Sequence, residues 1–95
     1  MSYHDEDLND IYDRTDGYCY YCAKKLSFQN YGLVGERAAW EVDHFMPLAA
    51  GGDDRFDNWV PACVPCNTAK RDLLPWEFEP ELFVVGDHDP ANYLS

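Results

Sequence analysis

Leu8, Ile11 and Tyr12 recur three and four residues apart among acids and amides, which predicts a helix over residues 5–15. Asp5, Glu6 and Asp7 fall in its first turn, where the helix dipole favours negative charge, and Gly17 predicts its end. Lys24 to Phe28 is expected as a short strand. Residues 39–45 read as a second strand with Trp40 and Val42 on one face, and Pro47 ends it or follows a bend. Ala49-Ala50-Gly51-Gly52-Asp53-Asp54 is a loop by composition, and Asn58-Trp59-Val60 returns as a further strand. Pro65 suits the first turn of a helix that continues from Asn67 to Leu74, until Pro75 stops it. Leu82 to Val85 is a last strand candidate. The order strand, loop, strand, helix makes the fold class α+β.

Ninety-five residues and 11.0 kDa fit a single domain over 1–95, with its core at about 12–74 and acidic flanks at 5–15 and 75–95. A composition 46% hydrophobic and 16% aromatic excludes a disordered chain. No apolar run approaches the ~20 residues of a membrane span, so no membrane partner is expected. The opening residues are acidic and carry no export signal, so a cytoplasmic setting is expected. A chain this small commonly needs a staple.

Cys19 and Cys22 are two residues apart in the gap between them, as are Cys63 and Cys66. Such a gap lets both sulfurs of a tight turn face one ion at about 2.3 Å, and two turns complete a tetrahedron. The expected occupant is a structural Zn²⁺, because four thiolates leave no position for a substrate. Competing readings are a disulfide pair in a secreted protein, disfavoured because no export signal is visible, and a redox Cys-x-x-Cys, disfavoured because neither pair opens a helix after a parallel strand. Four unrelated buried cysteines would not be expected to fall into two matched pairs.

The net charge of −11 looks adverse for a chain that meets nucleic acid, so its distribution matters. Residues 1–18 hold six acids and one base, and residues 73–95 hold five acids and none. The middle is nearly neutral. Acidic ends are solvated surface, or they weaken non-specific attraction to phosphates and await a basic protein partner.

Val42-Asp43-His44, Pro47, Gly51-Gly52-Asp53, Asn58, Pro61, Cys63-x-x-Cys66-Asn67 and Lys70 form one constellation. Together with the cysteine pairs, it resembles the HNH endonuclease family over about residues 12–74. The resemblance implies a small ββα-metal fold stapled by the four-cysteine zinc, preceded by an N-terminal helix. The third motif letter is Asn67 rather than histidine, as in the HNH domain of the large RNA-guided CRISPR nucleases. An asparagine still offers an amide oxygen to a hard cation.

The resemblance implies a metal-dependent endonuclease that cuts or nicks DNA, duplex in preference to single strands, by in-line water attack that leaves a 5′ phosphate. His44 would be the general base, and Asp43 and Asn67 would hold one catalytic Mg²⁺ or Mn²⁺. Asn58 would hold the loop and so orient His44. Lys70 and Arg71, three and four residues past Asn67, would clamp phosphates, joined by Arg37 and Arg55. A bacterial, archaeal or viral origin, phage included, goes with this reading. Its rivals are a zinc-ribbon-like protein-binding adaptor, a nuclease toxin held by an immunity protein, and a purely structural zinc protein. Successive strand residues face opposite ways, so Asp43 and His44 can serve one site only where the strand bends or ends. Trp40, Trp59 and Trp76 are read as core; His4 and His88 are read as solvated.

Overall fold

The computed structural model describes residues 3–78, so the strand expected at Leu82–Val85 and His88 lie outside the described residues. Helix α1 (Asp5–Asp13) opens the chain and buries Leu8 and Ile11 against the sheet. It ends where the Gly17 N–H bonds Tyr12 O at 3.0 Å with Gly17 at φ +85°. The sheet is an antiparallel pair, β1 (Trp40–His44) and β2 (Trp59–Cys63), in a register that sets Trp40 opposite Cys63 and His44 opposite Trp59. Helix α2 (Val64–Lys70) follows β2 without a gap and packs on both strands. Among the described residues, no helix is long and apolar enough to cross a membrane.

Trp40 is the centre of the core and is fully buried. Its ring meets Tyr31, Tyr12 and Phe28 at centroid distances of 5.0, 5.6 and 6.1 Å, and its Nε1 donates to Phe28 O at 3.2 Å. Leu26, Ala62 and all four cysteines join the same cluster. Burying an indole in this way needs its N–H satisfied, and the Phe28 carbonyl does that.

Four expectations are corrected. No strand forms over Lys24–Phe28: a single bridge pairs Lys25 with Tyr18, and Phe28–Asn30 is a 3₁₀ turn. The chain there closes the first cysteine turn, with Leu26 N–H on Gly17 O at 2.8 Å, and has no further partner strand among the described residues. The second strand reaches Cys63 rather than stopping at Val60. Pro61 lies within it, and its carbonyl accepts the Tyr20 N–H at 2.8 Å, which fastens the first cysteine turn to the strand. Helix α2 stops at Lys70 rather than Leu74, because Arg71 turns to φ +49°. Trp76 is 71% exposed and is not core; Trp59 is half-buried and Trp40 alone of the three is sealed.

Candidate active site and metal centre

The two cysteine turns converge. Cys19 and Cys22 follow α1, Cys63 ends β2, and Cys66 lies in the first turn of α2. All four are buried, and their sulfurs lie within 4.8 Å of one another. Cys22 Sγ and Cys63 Sγ are 3.7 Å apart. A tetrahedron of ~2.3 Å metal–sulfur bonds has edges of about 3.8 Å, so this spacing fits a zinc ion. Hydrogen bonds from Cys22, Cys63 and Cys66 hold the Cys19 thiol far below the ordinary range. Bonds to Cys19 push Cys22 and Cys66 up, so these two sulfurs keep their protons until a cation offsets the charge of four thiolates. Four buried cysteines can thus hold a metal such as zinc, closed to substrate.

Asp43 and Lys70 form a buried ion pair, Oδ2 to Nζ at 3.2 Å. The Tyr21 hydroxyl donates to the same Oδ2, and desolvation with the neighbouring carboxylate raises the Tyr21 pKa far above the usual phenol value. Lys70 is fully buried; its ammonium also donates to His44 O at 3.2 Å and sits over the Tyr21 ring at 5.7 Å. The expectation that Lys70 clamps a phosphate is therefore corrected: the helix face it shares with Asn67 points inward. Both contacts on Asp43 use Oδ2, which leaves Oδ1 as the oxygen available to a cation.

Asn67 lies on α2 opposite β1, where its Nδ2 donates to Glu41 Oε1 at 2.7 Å. That bond leaves the Asn67 amide oxygen as the donor atom for a metal. Glu41 precedes Asp43 by two, so the strand alternation sets both carboxylates on one face. The donor set is all oxygen, which fits a hard divalent cation.

His44 is the last residue of β1, where the strand ends, and is partly exposed. Its Nε2 bonds Asp54 Oδ1 at 2.8 Å, and Trp59 Nε1 donates to the same oxygen at 2.9 Å. The His44 bond, then the Trp59 bond, hold the Asp54 carboxyl below the usual carboxylate range.

The loop between the strands is fixed by Asn58. Its Oδ1 accepts the Met46 N–H at 2.8 Å, and its Nδ2 donates to Met46 O at 2.9 Å and Asp53 O at 2.8 Å. Asn58 O accepts the Phe45 N–H at 2.9 Å. Gly52 is needed for this closure, since a Cβ there would meet Met46 O at 1.9 Å. Asn58 thus joins the residues just after His44 to those just before Asp54.

Arg55 and Arg71 are exposed at the loop and just past α2, and Arg37 is exposed at the far end of the hairpin. Tyr21, Glu41 and Asp54 are site residues that sequence reasoning missed. Glu41 carried a signal, its two-residue offset from Asp43; Tyr21 and Asp54 carried none, because their partners depend on how the loops pack.

A family model described as HNH endonuclease matches residues 19–73, a span that includes every cysteine, Asp43, His44, Asn58 and Asn67. The match covers more than half of the chain, which therefore belongs to this family of nuclease domains.

Proposed function

We propose that this HNH endonuclease family member hydrolyses DNA phosphodiester bonds, with His44 as general base. The observation that carries the reading is the hydrogen-bonded series His44–Asp54–Trp59 beside a loop that Asn58 fastens. A carboxylate on Nε2 keeps the ring proton there, so Nδ1 retains the lone pair that accepts a proton from water. The oxygen of that water attacks phosphorus as the bond to the 3′ oxygen breaks. The leaving oxygen takes a proton from solvent, and the product keeps a 5′ phosphate.

Asp43 and Asn67 would hold a Mg²⁺ or Mn²⁺, which when bound would supply positive charge toward the scissile phosphate and the leaving oxygen. Asp43 and Asn67 offer their Oδ1 atoms, and Glu41 holds the Asn67 amide through its Nδ2. Arg71 and Arg55, both exposed, would contact phosphates, and duplex DNA is the expected substrate. Plasmid incubated with the zinc-loaded protein and Mg²⁺ or Mn²⁺ should be nicked or cut, and His44→Ala should not act.

One observation favours a second reading, a zinc-stapled protein-binding module without cleavage. Asp43 already has a counter-ion in Lys70, so the fold does not require a second cation. A wild-type chain that stays inert on duplex, single-stranded and branched DNA with several metals would establish that reading.

A further inference from the structure

Two side chains meet a single oxygen of the buried Asp43 carboxylate. Lys70 Nζ lies 3.2 Å from Oδ2, and the Tyr21 hydroxyl donates to the same atom. The Lys70 ammonium already balances the charge, so charge alone does not call for the hydroxyl. We propose that Tyr21 is a positioning residue for Asp43: its hydroxyl fixes the carboxylate so that Oδ1 stays free for a divalent cation, and thereby sets the affinity for that cation. This role rests on the metal site in the reading above.

The first support is the way the hydroxyl is aimed. Tyr21 lies between Cys19 and Cys22, in a turn held by Tyr20 N–H on Pro61 O at 2.8 Å and Ala23 N–H on Cys19 O at 2.9 Å. Its ring meets Tyr20 and Phe78 edge-on, each at 5.4 Å, and lies 5.7 Å from the Lys70 ammonium. A phenylalanine would keep those ring contacts. What the hydroxyl adds is the bond to Asp43.

Lys70 does not fix the carboxylate by itself. Its ammonium is shared between Asp43 Oδ2 and His44 O, both at 3.2 Å, and an ammonium acts as a point charge with rotatable donors. A phenol on a packed ring is a directional donor and selects one orientation of the carboxylate. Asn67 is held in the same manner, with its Nδ2 on Glu41 Oε1 at 2.7 Å. Each expected ligand thus has one polar atom engaged and one left for the cation. The turn that carries two of the staple cysteines also orients a ligand of the second site.

The rival explanation is that the hydroxyl only satisfies a buried carboxylate and supports the fold. The test compares wild type, Tyr21→Phe and Asp43→Asn, each full-length and loaded with one equivalent of zinc. Mn²⁺ binding is read from the paramagnetic resonance signal of the free aquo ion, and the site in question is the one that Asp43→Asn removes. Zinc content and melting temperature are measured on the same samples, and plasmid nicking is followed across a Mn²⁺ series.

The expected result for Tyr21→Phe is a Kd for Mn²⁺ at that site raised about 10- to 100-fold, with zinc retained. Nicking should fall at low Mn²⁺ and return toward the wild-type rate as Mn²⁺ saturates, which a purely structural defect would not do. An unchanged Kd overturns the positioning role, and wild-type nicking in the same series then leaves the nuclease reading standing. A Tyr21→Phe protein that loses its zinc or its fold also overturns it, because the hydroxyl is then structural. A raised Kd beside a wild type that nicks nothing keeps the positioning role and removes the nuclease reading. Wild-type Mn²⁺ binding that Asp43→Asn leaves intact overturns the metal site and the role of Tyr21 with it.

Discussion

His44 Nε2 lies 2.8 Å from Asp54 Oδ1, which makes an exposed loop acid the group that fixes the imidazole at the end of β1. Asp54 touches neither DNA nor metal in the account above, so it acts through His44 as a positioning residue. Asp54→Asn should lower kcat about 10- to 100-fold with little change in KM, as for other partners that orient a functional histidine. Asp54→Glu, which can restore the contact, should recover part of the loss. Equal losses for both variants would contradict the positioning role.

The lowered Asp54 pKa fixes the sign of a pH effect. The folded carboxylate keeps its charge where an unfolded aspartate is gaining a proton. Its contribution to stability is therefore complete above pH ~4 and is lost as pH falls through the lowered value. Acid-unfolding curves of wild type and Asp54→Asn, followed by circular dichroism at fixed zinc, should converge as pH falls below about 4. A difference that grows toward low pH would contradict the assignment.

Lys70 should matter for folding more than for phosphate contact. Lys70→Met leaves the Asp43 carboxylate buried and unpaired, and urea denaturation should show a loss of about 3–5 kcal/mol. Arg71→Gln, at an exposed position, should change stability by about 0.5 kcal/mol or less. Similar stability for the two variants would mean that the buried pair has been misread.

Removal of zinc should unfold the chain. Structural zinc contributes on the order of 10 kcal/mol of binding energy, comparable with the whole stability of a small domain. Cys63→Ser, or chelation of the wild type, should abolish the folded circular dichroism signal and release one zinc. A soluble, folded Cys63→Ser protein would contradict the staple.

The parts legible in the sequence were those set by spacing along the chain. The cysteine pairs and the strand–loop–strand–helix order follow from local offsets, and Asp43, His44, Asn58 and Asn67 were named from the family resemblance those offsets carry. Lys70 shows where this stops: its offset from Asn67 gave the correct helix face, but not that the face meets β1 and Tyr21 rather than solvent. Arg71 was placed on that helix because nothing in its neighbours signals the turn to φ +49° that ends it. Asp54 sat in a segment read as loop by composition, and only the path imposed by Asn58 and Gly52 brings it to His44.

The central claim is that the His44 imidazole accepts the proton of the attacking water. Its most direct test is the rate of plasmid nicking by wild type and His44→Ala at saturating Mg²⁺ or Mn²⁺, with zinc content and melting temperature measured on the same samples. The account predicts a rate lower by about 10²- to 10⁴-fold with zinc and melting unchanged. A His44→Ala protein that nicks at the wild-type rate would contradict it.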